Sequence, residues 1–363
     1  MRFVIIGGDA AGMSAASRAR RNDPELEVTV LEQGTDVSYS ACNIPYNIAD
    51  PARELDDLVV RSAAAFRDKQ GIDLRTGHRV EGIDRGTRTV HGRRSDGSTF
   101  TLPWDRLLIA TGATSIRPAI EGMDLPGVFT VKNLEDGRRI KEFLRQRKAE
   151  RAVILGMGYI ALEMTEALVD LGLAVDLVKP RAGLLPWLHR ELAKPVRELL
   201  EQRGVGLYDG HRVDRISVEG DRLSVHAGDL ALTADLVIAA IGVTPCAQLA
   251  EAAGLELSVG GSIATDRTLR TSDPEIFAAG DCAAVAPPAG DHLRQESWRN
   301  ARAQGECAAR NMLGEDQAFA ALPWFWSDQY DLGLQVAGLP QPGHAQVLRR
   351  QPGLPARDRA FLD

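Results

Sequence analysis

Two stretches of this chain share one hydrophobic rhythm. Arg2-Phe3-Val4-Ile5-Ile6 is an apolar run closed by Gly7, and Ala152-Val153-Ile154-Leu155 is a second one closed by Gly156. Short apolar runs without alternation suit parallel strands buried on both faces. Helical spacing follows each, over 11–21 and 158–171, and then a further strand, over 27–31 and 174–178. Residues 72–102 alternate and carry Gly and Asp turns, which predicts an antiparallel meander. Arg106–Gly112 reads as a strand returning to the first sheet, Ser38–Tyr46 as a loop and 120–135 as a linker. Helices are expected over 136–148, 190–203 and 299–313, with strands near 213–218, 222–226 and 236–240. The one internal repeat is the pair of strand–glycine–helix units.

The glycine turns give the repeat its chemistry. Gly7-Gly8-Asp9-Ala10-Ala11-Gly12 and Gly156-Met157-Gly158-Tyr159-Ile160-Ala161 lie about 150 residues apart. Glycine lets the backbone approach a pyrophosphate, and the following helix points its unpaired N–H groups at the phosphates. Glu32 lies 20 residues beyond Gly12, the place of the acid that accepts ribose hydroxyl hydrogen bonds in a dinucleotide fold. Asp9 occupies the second glycine slot, so its carboxylate must turn away from the phosphates. In the second unit Lys179 stands where Glu32 stands in the first, with Arg181 beside it. A cation there favours a 2′-phosphate, hence NADPH, with NADH the alternative. Two dinucleotide sites in one chain imply electron passage between two cofactors.

Composition narrows the class. The 363 residues exceed one ordinary core. A net charge of −7 argues against a general nucleic-acid surface. No apolar stretch reaches the roughly 20 residues of a membrane span, and the first strand begins at residue 2, so a cytoplasmic protein without leader or membrane contact is expected. Cys42, Cys246, Cys282 and Cys307 contain no CxxC pair, and no metal site is expected. Cys246, Cys282 and Cys307 read as packing residues. Arg18, Arg20 and Arg21 close the first helix, where cations suit the dipole; the alternative is a docking patch for coenzyme A phosphates or an acidic ferredoxin. His189 and His292 have no assigned role, His189 being expected in a loop.

Further segments complete a resemblance. Ala110-Thr111-Gly112 is similar to a chain crossover, Thr271–Asp281 to a second flavin motif, and Gly156–Glu163 to a nicotinamide segment. Over roughly residues 1–340 the chain resembles the pyridine nucleotide–disulfide oxidoreductases, flavoproteins in which an FAD fold is interrupted by an NAD(P) fold. The resemblance implies an α/β architecture of two Rossmann-like, three-layer dinucleotide-binding domains (the glutathione-reductase-like FAD/NAD(P) fold) with a truncated C-terminal segment. The FAD domain would comprise 1–115 and 244–322, the NAD(P) domain 116–243, and a short interface segment 323–363. Thr111, Gly112, Gly280 and Asp281 would contact FAD, with Asp281 on its ribityl chain. Gly156, Gly158, Tyr159, Ile160, Glu163 and Gly242 would line the nicotinamide nucleotide, with Ile160 near the ring and Glu163 near the carboxamide.

Two subfamilies compete. Ser38–Tyr46 (SYSACNIPY) resembles coenzyme A-disulfide reductases, persulfide reductases and single-cysteine NADH oxidases, which implies that Cys42 is a redox thiol flanked by Ser40 and Pro45. Gln295–Gly314 and Pro323–Gly338 resemble the reductases of ferredoxins and rubredoxins, which implies Trp324 and Trp326 near the isoalloxazine. The implied activity is an FAD-dependent NAD(P)H oxidoreductase acting on a small disulfide, a persulfide or dioxygen. The alternatives are a ferredoxin reductase and a low-turnover flavin-binding redox sensor. A homodimer is one open assembly.

Overall fold

The computed structural model describes residues 1–185, 188, 190–287, 290–320 and 322–338. His189 lies outside them. In chain order the first elements are β1 (Arg2–Ile6), α1 (Ala10–Asn22), β2 (Glu27–Leu31), α2 (Ile44–Ala49), α3 (Ala63–Gln70) and β3 (Asp73–Arg75). There follow β4 (His78–Asp84), β5 (Thr89–Arg94), β6 (Thr99–Pro103), β7 (Arg106–Ile109), β8 (Ala113–Ser115), β9 (Val128–Thr130) and α4 (Leu134–Gln146). Next are β10 (Arg151–Leu155), α5 (Tyr159–Asp170), β11 (Ala174–Lys179), α6 (Arg190–Gln202), β12 (Gly206–Asp209), β13 (Arg215–Glu219), β14 (Arg222–Ala227), β15 (Leu230–Ala234) and β16 (Leu236–Ala239). The last are β17 (Val243–Pro245), α7 (Gln248–Ala252), β18 (Ile263–Thr265), β19 (Ile276–Ala278), β20 (Ala283–Val285), α8 (Trp298–Met312), β21 (Trp324–Gln329) and β22 (Leu332–Ala337).

The chain forms two compact units. The first takes Met1–Cys42, Asp56–Thr114 and Val243–Ala321. Its sheet runs β19-β7-β1-β2-β3, with parallel pairing. The alternation of a strand sorts its side chains to two faces. Phe3, Ile5, Val28, Val30 and Phe277 pack with α1 and α8. Val4, Ile6, Leu31, Ile109 and Ile276 pack with Val80, Val90 and Phe100 of the antiparallel β4-β5-β6 meander. Helices, sheet and meander are three layers, which explains why β1 reads as apolar at every position but its first. Gly305 brings α8 against α1; a Cβ there would overlap Ala11 O.

The second unit takes Asn43–Leu55, Ser115–Gly242 and the described residues from Leu322 on. Its sheet runs β12-β11-β10-β16-β9, again parallel. Val153, Leu155, Val178, Val237 and Ala239 pack with Ile216, Leu223 and Val225 of the β13-β14-β15 meander. Helix α4 begins cleanly because Asn133 Oδ1 accepts the Asp136 N–H at 2.9 Å. The hairpin β21–β22 pairs Trp324 with Ala337 and Gln329 with Leu332.

Several elements depart from the sequence expectation. The expected linker over 120–135 contains β9, an edge strand of only three residues, too short to show a period. Part of the expected Ser38–Tyr46 loop is helical: a turn over Ala41–Asn43 leads into α2, with Pro45 early in the helix, where its missing N–H costs nothing. Strands β12 and β15 were not expected either; β15 completes a sheet whose other two strands were, and β12 joins β11 in the sheet that also holds β9.

Candidate functional site

Each unit gathers its glycines at the carboxyl edge of its sheet. In the first, Ile6 is in register with Leu31 and Ile109, and Ile109 with Ala278. The residues just beyond these strand ends include Gly7, Gly8, Glu32, Thr111, Gly112, Gly280 and Asp281, so the edge used by ligands of open parallel sheets carries the predicted residues. Gly7 has φ +112°, and a Cβ on it would overlap Ala110 O. A Cβ on Gly12 would overlap Gly7 O, so the first turn of α1 packs directly on the glycine loop. Ala10 opens α1 and Ala11 is buried behind it. Asp9 leaves α1 without a side-chain cap and turns its carboxylate to the Tyr39 N–H at 3.2 Å.

Glu32 Oε2 accepts the Gly8 N–H at 2.8 Å and Oε1 accepts the Gly34 N–H at 2.7 Å. A carboxylate has about four lone-pair sites, so both oxygens keep acceptor capacity for ribose hydroxyls. Thr111 Oγ1 donates to Cys246 O at 2.6 Å and the Cys246 N–H to Gly112 O at 2.9 Å, which ties the crossover down. Gly112, at φ +68°, faces open space within 4 Å of a would-be Cβ. Gly280, at φ +84°, donates its N–H to Gln304 Oε1 at 2.7 Å. Asp281 follows it, half-buried.

Cys42 is the exposed cysteine; Cys246 is half-buried, and Cys282 and Cys307 are buried. Burial pushes the Cys282 thiol up, and that of Cys307 up to about 11, so neither is primed as a thiolate. Ser40, just before the Cys42 turn, donates its N–H to Leu58 O at 2.9 Å. Pro45 is buried on α2. Arg18 pairs with Glu306 at 2.7 Å, and Arg20 donates to Gln70 O and Leu26 O, so these two cations serve the fold; Arg21 is exposed. His292 is exposed.

In the second unit, Leu155 is in register with Val178 and Ala239. Gly156, at φ +117°, has no room for a Cβ because Ala240 O occupies the place. Gly158 precedes the first turn of α5, and a Cβ there would meet nothing within 4 Å. Open space over the N-terminus of a 12-residue helix fits a pyrophosphate. Tyr159 opens α5, its phenol pushed strongly up by burial. Ile160 is exposed. Glu163 is half-buried; desolvation pushes it up to about 7, against the lowering effect of a 3.0 Å hydrogen bond from Ser327 Oγ. Gly242, at φ +110°, ends the unit's central segment.

Lys179 ends β11 but is 8% exposed and donates from Nζ to Gly183 O at 2.6 Å. Burial holds its ammonium below the usual lysine range. Asp209 accepts the Gly183 N–H at 2.6 Å and Arg197 Nη2 at 3.0 Å, bracing the same loop. Arg181 is the exposed cation there. Trp326 is 54% exposed on β21, its ring centroid 4.9 Å from that of Trp324.

Both edges carry glycines where a Cβ would collide with backbone, with open space at Gly112 in the first unit and at Gly158 in the second; Glu32 stands at the second strand end of the first unit, and the buried Lys179 with the exposed Arg181 after it at that of the second. Sequence reasoning missed Gln304, Ser327 and Lys141. Gln304 and Lys141 are polar residues on apolar helix faces, the one signal that could have exposed them. Among the described residues no helix is long and apolar enough to cross a membrane, and no group of His, Cys, Asp and Glu is disposed to hold a metal.

The family model described as pyridine nucleotide-disulphide oxidoreductase matches residues 1–305, and the one described as reductase C-terminal matches 324–362. An NADH oxidase of Methanocaldococcus jannaschii is 31% identical over 99% of this chain and 81% of its own length. The ferredoxin–NAD(+) reductase component of an anthranilate 1,2-dioxygenase system from Burkholderia cepacia is 36% identical over 96% of this chain and 85% of its own. The structure of an NAD-dependent persulfide reductase from A. fulgidus superposes with a TM-score of 0.89 at 34% identity, over 94% of this chain and 64% of that one.

Proposed function

The chain belongs to the pyridine nucleotide-disulphide oxidoreductase family, and from that premise we propose that it reduces a small disulfide or persulfide through Cys42 at the expense of NAD(P)H. As a family member it is an FAD-dependent NAD(P)H oxidoreductase. FAD supplies the acceptor for the nicotinamide hydride. In the first unit Gly7, Gly8 and Gly12 would cradle the FAD pyrophosphate, Glu32 would accept its ribose hydroxyls, and Asp281 would hold its ribityl chain. In the second unit Gly156 and Gly158 would admit the phosphates of NAD(P)H at the start of α5, and Glu163 would meet the carboxamide.

The observation that carries the reading is the exposure of Cys42, on a helical turn, against the buried thiols of Cys282 and Cys307. Its thiolate would attack one sulfur of RS–SR′, forming a Cys42–S–SR disulfide and releasing R′S⁻. Two electrons drawn from NAD(P)H would cleave that mixed disulfide, releasing RS⁻ and restoring the Cys42 thiolate. The sum is NAD(P)H + H⁺ + RSSR′ → NAD(P)⁺ + RSH + R′SH.

A second reading, electron delivery to a ferredoxin, has its own support: the exposed Trp326 on the β21–β22 hairpin and the match of that segment to the reductase C-terminal model. Anaerobic NADPH titration of the holoprotein and of Cys42→Ser, followed by coenzyme A disulfide, separates the two. Loss of disulfide reduction in the variant, with flavin bleaching intact, is the expected result. Undiminished disulfide reduction by Cys42→Ser would remove the thiol mechanism. A ferredoxin-coupled activity that falls steeply with salt would install the second reading.

A further inference from the structure

Lys141 lies on α4 and is 4% exposed. A buried ammonium is costly unless its donors are satisfied. Here Nζ meets four oxygens: Asn47 O at 2.8 Å, Asn47 Oδ1 at 3.0 Å, Asp50 O at 2.8 Å and Arg53 O at 2.7 Å. All four belong to α2 or to the segment that leaves it. Helix α2 has only six residues, too few to persist by its own hydrogen bonds, and the last carbonyls of any helix lack partners within it. The ammonium supplies three donors at that place.

Other features of the second unit serve the same attachment. Gly137, one turn before Lys141 on α4, lets Leu55 and Ile44 approach: a Cβ there would stand 2.8 Å from Leu55 Cδ1 and 3.2 Å from Ile44 Cγ2. Asn47 is itself buried and donates Nδ2 to Glu54 O at 2.9 Å, closing the segment into a loop around the ammonium. Helix α2 also packs on α5, whose first turn carries the nicotinamide segment. The turn that bears Cys42 runs straight into α2, so Cys42 stands two residues before the helix begins.

We propose that Lys141 is a positioning residue for Cys42: by holding the carbonyls of Asn47, Asp50 and Arg53 it fixes α2, and α2 fixes the turn from which the thiol projects. The inference rests on the reading of Cys42 as the redox thiol. It explains why a cation, and not a leucine or methionine, occupies the buried face of α4. An apolar side chain would fill the volume but take the charged donor from three backbone carbonyls, of which Asn47 O and Asp50 O would keep only the long 3.2 Å bonds from the Asp50 and Arg53 N–H groups.

The test is K141M in the flavin-loaded protein. Amide exchange over 43–55 is expected to rise about tenfold or more, with other amides of the unit little changed. The alkylation rate of Cys42 by iodoacetamide is expected to change at least about threefold, and the long-wavelength thiolate–flavin absorption to fall at unchanged flavin content. Faster exchange with both thiol signals unmoved would make Lys141 purely structural and overturn the proposal; so would no change in any of the three. If K141M does not retain flavin, N47A, which removes one of the four oxygens and leaves the backbone acceptors, carries the same readouts. Failure of the redox reading is separately visible: Cys42→Ser would keep disulfide reduction, and the alkylation rate in K141M would still decide the role of Lys141.

Discussion

Ser327 on β21 donates its hydroxyl to Glu163 Oε1 on α5 at 3.0 Å. The bond joins the β21–β22 hairpin to α5 inside one unit, and the Tyr330 N–H extends the seam by donating to Glu166 Oε2 at 3.0 Å. Glu163 is held up at about 7, against an ordinary 4.5, chiefly by desolvation; Ser327 works against the shift, and Glu166 and Asp328 add to it. Between those values the folded chain keeps a proton that the unfolded chain has released. The stabilisation is therefore complete below about pH 4.5 and is lost as pH rises through about 7, amounting to at most about 3 kcal/mol. Thermal denaturation across this window should show stability falling with pH, and Glu163→Gln should flatten the trend. Ser327→Ala removes a donor to the charged form, so it should move the midpoint upward; a downward move would refute the assignment.

Gly156 and Gly158 separate scaffold from site. Gly156 combines φ +117° with a backbone oxygen in the place of its Cβ, whereas Gly158 has an ordinary φ of −92° and open space around it. Gly156→Ala should destabilise the second unit by about 2 kcal/mol or more. Gly158→Ala should fold normally but raise the NAD(P)H KM about tenfold, because the new methyl stands where a phosphate must approach. Calorimetry and steady-state kinetics on the two variants check both halves. A Gly158→Ala enzyme with unaltered KM would remove the pyrophosphate from this turn.

Much of this arrangement was legible from local sequence. Gly7 and Gly156 follow unbroken apolar runs, and steric necessity at such turns is a local matter. Strand β9 was hidden because three residues, Val128–Thr130, carry no period of their own and become a strand only beside β16. Helix α2 was hidden because it is too short to show a period and the ammonium that meets its last turn belongs to Lys141, 94 residues from Asn47 in sequence. Ser327 and Glu163 are 164 residues apart. A pairing between two polar residues at such separation leaves no trace in composition or spacing, and only the folded chain reveals it.

Arg181 is expected to govern the choice between the two nicotinamide cofactors. The neighbouring ammonium of Lys179 is buried and directed at Gly183 O, which leaves the guanidinium of Arg181 as the exposed cation at the end of β11. Arg181→Ala should lower kcat/KM for NADPH about tenfold, the scale of one lost charge-assisted contact, and leave NADH nearly unaffected. Lys179→Met should instead loosen the loop held by Gly183 and impair both cofactors alike. Equal losses with both cofactors in Arg181→Ala would take the 2′-phosphate away from this residue.

Gln304 ties the flavin side of the first unit together, although nothing in a glycine-motif reading points to it. It is 2% exposed on α8, and its Oε1 takes the Gly280 N–H at 2.7 Å. Gly280 sits at φ +84°, and a Cβ on it would stand 3.0 Å from Ala11 Cβ, so the loop passes close against α1. Gln304→Leu keeps most of the volume but strands a buried donor, a loss of about 1–3 kcal/mol. The loss falls on the residue directly before Asp281, so the flavin should be released at lower denaturant than the rest of the unit unfolds. Following flavin fluorescence and circular dichroism through one urea titration tests the order of these events. Gln304→Glu offers the same acceptor geometry, and should restore retention while its carboxylate accepts the Gly280 N–H. Coincident flavin loss and unfolding in Gln304→Leu, at the wild-type midpoint, would show that the bond does not hold the loop.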